Sequence, residues 1–170
     1  MGPPVVAQRL KKVPTIAHKL LREPRMKLSR MADIGGVRAV LPSQEAAYAL
    51  AGRLRRNWTI VKVRDYVAEP KADGYRAIHL VSRNRGRLIE VQLRTANQDR
   101  WANTVERMSR IIAPGLKFGA GPPEVKAYFR QGALLLAMAD QHLEASAEMV
   151  AHWQDLQKRA GTFIESSDEP

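Results

Sequence analysis

The stretches Tyr75-Arg76-Ala77-Ile78-His79-Leu80-Val81-Ser82 and Arg87-Leu88-Ile89-Glu90-Val91-Gln92-Leu93-Arg94-Thr95 are separated by Arg83-Asn84-Arg85-Gly86. Two apolar, β-prone runs around a short turn-forming link are the signature of a β-hairpin. Side chains alternate along a strand, so Ile89, Val91 and Leu93 face one way and Glu90, Gln92 and Arg94 the other. His79 is out of phase with Ile78 and Leu80. A two- or four-residue link sets His79 across from Glu90 or Gln92, gathering four polar groups on one sheet face. A solvated outer face is the ordinary account of such a pattern; burying it is costly and would need a purpose.

Upstream of the hairpin, Ile34 to Leu41 reads as a buried strand containing Gly35-Gly36. Pro42-Ser43 then caps a helix from about Gln44 to Arg56, with Ala47, Leu50, Ala51 and Leu54 on one face. Trp58 to Val67 reads as a strand, and Glu69 to Gly74 as a turn-rich loop. Residues 1–8 read as a loose end, followed by a short helix from Thr15 to Leu21 that Pro24 stops. Downstream, Trp101, Val105, Met108 and Ile112 keep helical spacing. A Gly/Pro-rich loop follows, then one long helix from about Glu124 to Arg159 with Phe129, Leu136, Leu143, Val150 and Trp153 near one face. The expected fold is α/β (α+β), a small mixed sheet flanked by helices. Its expected parts are a core (1–112), a Gly/Pro loop (113–123), a C-terminal helical extension (124–160) and a polar tail (161–170).

Composition narrows the class. The 170 residues include 28 Lys and Arg against 17 Asp and Glu, and no Cys. Disulfide scaffolds, thiolate metal sites and cysteine nucleophiles are therefore excluded. The longest apolar run, Ala133 to Ala139, falls far short of the ~20 residues a membrane helix needs. No signal-peptide pattern opens the chain, so the expectation is a cytoplasmic protein without a membrane partner. The whole excess charge of +11 lies in residues 1–64, a field that attracts nucleotide polyphosphates or RNA.

No P-loop, G-x-G-x-x-G, H-E-x-x-H or G-x-S-x-G motif is present. Two acids, Asp33 and Glu90, remain at the strands, among many cations. Carboxylates of this kind bind Mg²⁺, an ion that takes a few of them plus substrate phosphate oxygens. Arg9, Lys11, Lys19, Lys62 and Arg64 could then neutralise a triphosphate during group transfer. Tyr75, after Gly74, is a ring on which a base could stack.

Four ordered segments carry a family likeness: Asp33-Ile34-Gly35-Gly36-Val37-Arg38; Lys62-Val63-Arg64-Asp65-Tyr66-Val67; Pro70 to His79; and Ile89-Glu90-Val91-Gln92-Leu93-Arg94-Thr95. Together with Arg9-x-Lys11 and Lys19 they closely resemble the synthetase domain of RelA/SpoT proteins. The resemblance implies a nucleotidyltransferase-like fold and transfer of the ATP β,γ-pyrophosphate to a ribose 3′-hydroxyl. It implies that Asp33 holds Mg²⁺, and that Glu90 binds or orients the ion and helps activate the attacking hydroxyl. Arg9, Lys11, Lys19, Lys62 and Arg64 would serve ATP. Tyr75 would stack on the acceptor guanine, with Lys71, Asp73 and His79 beside acceptor groups, and Arg38, Gln92 and Arg94 in support. Asp73 stands where the family usually has Asn, and Arg107 where a His is frequent.

The resemblance implies a small synthetase making a (p)ppGpp-type alarmone from ATP and GDP or GTP. Its alternatives are a toxin member that pyrophosphorylates the tRNA 3′ end or makes adenosine alarmones, held by an antitoxin protein, and an inactive nucleotide- or RNA-binding relative. The long C-terminal helix would suit a homo-oligomer or antitoxin docking.

Overall fold

The structure is a computed structural model and describes residues 5–111 and 121–165. The strands are β1 (Val5–Leu10), β2 (Gly35–Leu41), β3 (Ile60–Asp65), β4 (Ile78–Asn84) and β5 (Arg87–Thr95). The helices are α1 (Val13–Arg22), α2 (Gln44–Asn57), α3 (Ala96–Ile111), α4 (Pro123–Asp140) and α5 (Ala147–Glu165), with a 3₁₀ turn at Leu28–Arg30. The expected loop at 113–123 and the end of the tail fall largely outside the described residues. No described helix is long and apolar enough to cross a membrane. By compactness the chain forms two units, residues 1–66 with 77–95 and residues 67–76 with 96–170.

The first unit is one mixed sheet in the order β1-β2-β5-β4-β3, parallel only between β2 and β5. The β4–β5 hairpin closes through a two-residue turn, Arg85-Gly86, with φ of 47° and 75°. Both values are positive, as a turn that matches strand twist requires. This turn pairs His79 with Gln92 and Val81 with Glu90.

Directly paired residues share a face, and the register therefore sorts the sheet. Ala39, Leu41, Ile78, Leu80, Val91 and Leu93 lie on one side, all buried, against the buried Ala47 and Ala51 of α2. Ser43 caps α2, its hydroxyl accepting from the Ala46 N–H at 3.2 Å. The other side carries Arg9, Arg38, Lys62, Arg64, His79, Glu90, Gln92 and Arg94. Gly36 lets β2 pass this close to β5: a Cβ there would stand 2.5 Å from the Glu90 carbonyl oxygen.

Two expectations about the strands are corrected. Residues 5–10 are not a loose end but an edge strand, antiparallel to β2 from Val5↔Val40 to Leu10↔Gly35. A partner strand 25 to 35 residues away along the chain defines β1, and no local pattern announces it. Lys62 and Arg64 lie on strand β3, within the stretch expected to be one, and that strand is exposed. Tyr75 lies three residues ahead of β4, not at its start.

The second unit packs Trp101 and Val105 of α3 against Val125, Phe129 and Ala133 of α4 and Ala160 of α5. The expected single helix over 124–159 is instead two. Chain reversal follows Asp140: His142 takes φ 55°, and the Leu143 N–H donates to the Met138 carbonyl at 2.9 Å, closing α4 as a left-handed residue commonly does. Ser146 opens α5, its hydroxyl accepting from the Met149 N–H at 3.2 Å. The break changes the helical phase, so Leu143 and Val150 are exposed instead of joining Phe129. The expected polar tail is also shorter, because α5 runs to Glu165.

The close approach of β2 to β5 yields a paired test. Gly36→Ala should cost about 1–3 kcal/mol of stability, since the methyl meets backbone that cannot turn aside. Gly35→Ala, whose nearest neighbour is a Leu10 methyl at 3.8 Å, should be nearly neutral. Urea denaturation of the two variants measures the difference, and equal midpoints would count against this packing.

Candidate active site

The polar sheet face is not a solvated one. His79, Glu90, Gln92 and Arg94 are all buried, between 3% and 8% exposed. Their atoms form a continuous array along β4 and β5. His79 Nδ1 lies 3.1 Å from Glu90 Oε1, and Gln92 Nε2 donates to Glu90 Oε2 at 2.7 Å. Arg94 Nη2 in turn donates to Gln92 Oε1 at 3.1 Å. Tyr66 sets its ring at right angles to the His79 imidazole, centroids 5.2 Å apart.

Both oxygens of Glu90 therefore accept from neighbours. Burial alone would raise its pKa, but the hydrogen bond and charge of His79, followed by the Gln92 hydrogen bond, bring it down to about 2. The Asp33 carboxylate opposes this slightly, which puts the two acids in electrostatic reach of each other.

Asp33 sits just ahead of β2 and receives two lysines. Lys11 Nζ donates to its Oδ2 at 2.5 Å and Lys19 Nζ to its Oδ1 at 3.1 Å. Desolvation pushes this carboxyl up, and the two ammonium groups more than reverse it, leaving the pKa below its ordinary value. Lys11 follows β1, and its N–H donates to the Ile34 carbonyl at 2.9 Å, so strand pairing delivers it to Asp33. Lys19 arrives from α1.

The expected site residues thus fall into distinct groups. Asp33, Lys11 and Lys19 are brought together, as are His79, Glu90, Gln92 and Arg94. Arg38 shares the face beside Gln92. Arg9, Lys62 and Arg64 lie on the same face but stand exposed on the edge strands.

Lys71, Asp73 and Tyr75 belong to the second unit. There the Lys71 ammonium lies 4.7 Å from the centroid of the Tyr75 ring. Asp73 Oδ1 accepts from the Tyr75 N–H at 3.0 Å, and Gly74 takes φ 86°, which together form the turn that presents the ring.

Two residues to which the sequence pattern assigned no role take part in this scaffolding. Tyr66 is one. Arg76 is the other: its Nη1 donates to the carbonyls of Gly74 and of Ala133 on α4, each at 3.2 Å. A Cβ on Gly74 would meet the Ala133 methyl at 2.5 Å, so α4 is the floor of the Tyr75 turn. Arg76 lies within the Pro70–His79 motif, but its α4 partner is 57 residues away and only the fold reveals it.

No group of three or more His, Cys, Asp or Glu converges among the described residues, so a preformed all-protein metal cage is not part of their arrangement. Two ionised carboxylates amid cations instead suit an ion that draws its remaining ligands from phosphate and water, as Mg²⁺ does.

The family description "Region found in RelA / SpoT proteins" matches residues 8–110. Among relatives, "GTP pyrophosphokinase YjbM" of Bacillus subtilis is 34% identical over 113 residues, covering 59% of this chain and 53% of that protein. "Probable GTP diphosphokinase RSH3, chloroplastic" of Arabidopsis thaliana is 32% identical over 94 residues, 54% of this chain and 13% of the relative. The chain thus spans only part of these relatives. Among solved structures, small alarmone synthetase 1 from Bacillus subtilis bound to its product pppGpp aligns with TM-score 0.68 and 27% identity, over 81% of this chain and 74% of that one. Small alarmone synthetase 2 from the same organism gives 0.67 and 25%, over 81% and 77%.

The depressed Glu90 pKa has a signed consequence. A carboxylate whose folded pKa lies below its unfolded value stabilises the fold above the unfolded value and loses that contribution as pH falls through the folded one. Stability should therefore decline from about pH 4.5 toward about 2, and Glu90→Gln should flatten much of the decline. Thermal melts across that range check it; an unchanged slope in the variant would contradict the assignment.

Proposed function

The chain belongs to the RelA/SpoT family, and from that premise we propose that it is a Mg²⁺-dependent pyrophosphokinase. Its reaction is transfer of the ATP β,γ-pyrophosphate to the 3′-hydroxyl of GDP or GTP, giving a (p)ppGpp-type alarmone. In this step the 3′-oxygen bonds to the β-phosphorus of ATP, the α–β phosphoanhydride bond breaks, AMP leaves, and the hydroxyl proton is released. The observation that carries the reading is the buried Glu90 held by His79 and Gln92, with the lysine-paired Asp33 within electrostatic reach of it, in a cation-rich setting.

Asp33 and Glu90 would hold the Mg²⁺, whose chemistry when bound is to neutralise and orient the triphosphate. Lys11 and Lys19 keep the Asp33 carboxylate compensated in the free chain. With ATP present the same ammonium groups can turn to phosphate oxygens, joined by Arg9, Lys62 and Arg64. Glu90, held near pKa 2, is a weak proton acceptor at neutral pH. Its role is therefore better matched to an anionic ligand than to a general base. Gln92 and His79 fix the carboxylate's orientation, while Arg94 and Arg38 support that array.

On the acceptor side, Tyr75 would stack on guanine, taking the ring face that Lys71 covers in the free chain and releasing Lys71 to an acceptor phosphate. Asp73 contributes by holding the Tyr75 turn, a task that Asn, usual at this position in the family, could perform with its own side-chain oxygen. The charge asymmetry, +11 within residues 1–64, also suits a second acceptor, the 3′ end of a tRNA.

Substitution separates these roles. Asp33→Asn and Glu90→Gln should each abolish transfer of label from γ-labelled ATP in a folded protein; retained turnover would remove both from the metal site. Tyr75→Ala should raise the acceptor KM at least about fivefold, the lower end of what base stacking contributes, and leave the ATP KM unchanged. A defect confined to ATP would refute the acceptor assignment.

A further inference from the structure

Helix α4 ends on an acid. Asp140 is its last residue, and the final turn holds no basic side chain to answer it. A carboxylate is disfavoured there, because unpaired carbonyls make a helix C-terminus partly negative. Compensation comes from elsewhere in the same unit. Asn97, the second residue of α3, donates through Nδ2 to Asp140 Oδ1 at 2.9 Å. The carboxylate thus meets the opening turn of α3, the end of a helix that favours an anion.

Arg76 is the second compensating group. Its half-buried guanidinium donates from Nη1 to the carbonyls of Gly74 and Ala133, both neutral acceptors. Such acceptors satisfy the N–H groups but not the charge, and a partly buried cation is costly without an anion nearby. Burial pulls the Arg76 pKa down, and the Asp140 carboxylate opposes that pull. Arg76, Asn97 and Asp140 line one small recess together with Gly74, Trp101 and Ala133.

The peptide bond that Arg76 grips is the one that leads into Tyr75. Its carbonyl, on Gly74, accepts from Arg76 Nη1 at 3.2 Å. Its N–H, on Tyr75, donates to Asp73 Oδ1 at 3.0 Å. Both ends of one peptide plane are therefore held. Asp73 acts locally, two residues away, whereas Arg76 is steadied by a charge at the far end of α4. The plane of that peptide sets the direction in which the Tyr75 ring leaves the backbone.

We propose that Asp140 is a positioning residue for the nucleotide acceptor: by holding the Arg76 guanidinium it fixes the Gly74–Tyr75 peptide, and so the angle at which the Tyr75 ring meets a base. The inference rests on the reading of Tyr75 as the residue that stacks on the acceptor. It gives the end of α4 control over acceptor affinity without contact with the acceptor itself.

The test is calorimetric titration of the full chain with GDP and, separately, with α,β-methylene ATP. Asp140→Asn keeps the shape and removes the charge. It should weaken GDP binding about threefold or more, as expected for residues in one hydrogen-bonded network, and leave affinity for the ATP analogue unchanged. In turnover it should raise the acceptor KM and leave kcat at saturating GDP as it is. Arg76→Gln, which loses the charge but keeps a donor, should weaken GDP binding likewise. Adding Asp140→Asn to Arg76→Gln should weaken it no further, whereas a general loosening of the helices would add. Tyr75→Ala, measured alongside, separates this inference from the reading beneath it. Wild-type GDP affinity in Tyr75→Ala, or a wild-type chain that binds no GDP, would remove the acceptor site and this inference with it. Weakened GDP binding in Tyr75→Ala with wild-type affinity in Asp140→Asn would overturn the role of Asp140 alone. So would an Asp140→Asn defect that recurs undiminished on top of Arg76→Gln, or one that falls equally on the ATP analogue.

Discussion

The Glu90 carboxylate is charged and almost wholly withdrawn from water, a state that costs several kcal/mol unless its oxygens find partners. His79 and Gln92 provide those partners, one from the neighbouring strand and one two residues along the same strand. The arrangement depends on the β4–β5 register, since a slip of one residue would send His79 to the apolar face and leave Glu90 without its imidazole. Register in turn depends on the Arg85-Gly86 turn, and the approach of β2 depends on Gly36 having no side chain. A single buried charge thus constrains the hairpin, the turn and the third strand together.

The same logic extends to Asp33. Here the compensation comes from two lysines that strand β1 and helix α1 deliver from earlier in the chain. A carboxylate neutralised by flexible ammonium groups is readily reassigned when a more highly charged ligand arrives, whereas one held by an imidazole and an amide is not. Glu90 is therefore the fixed pole of the site and Asp33 the exchangeable one. In the second unit a comparable division holds: Asp73, Gly74 and Arg76 fix the Tyr75 turn on α4, while Lys71 rests on the ring and can leave it.

Much of this was legible in the residues. The alternation in Arg87–Thr95 gives both faces of β5, and the hairpin link places His79 opposite Gln92, one of the two partners the spacing allowed. The RelA/SpoT likeness identified the family from four short segments. What stayed hidden has one physical cause, which is contact between residues far apart in sequence. Burial of the polar face cannot be read from a hairpin that would look identical on a solvated surface. Strand β1 exists through pairing with β2, and Val5–Leu10 shows no alternation of its own. The separation of α4 from α5 rests on one backbone reversal at His142, which interrupts an apolar period that otherwise runs on. Arg76 lies within the Pro70–His79 motif, yet its function as a clamp requires α4 to be in place.

The account's central claim is that this ionised face serves pyrophosphate transfer to a nucleotide. The most direct measurement incubates the protein with Mg²⁺ and γ-labelled ATP, offering GDP, GTP, ATP alone or deacylated tRNA in parallel. The account predicts label in a guanosine product that depends on added GDP or GTP. A folded protein that transfers no label to any of the four would contradict it, and label confined to tRNA would replace the guanosine acceptor with a polynucleotide one.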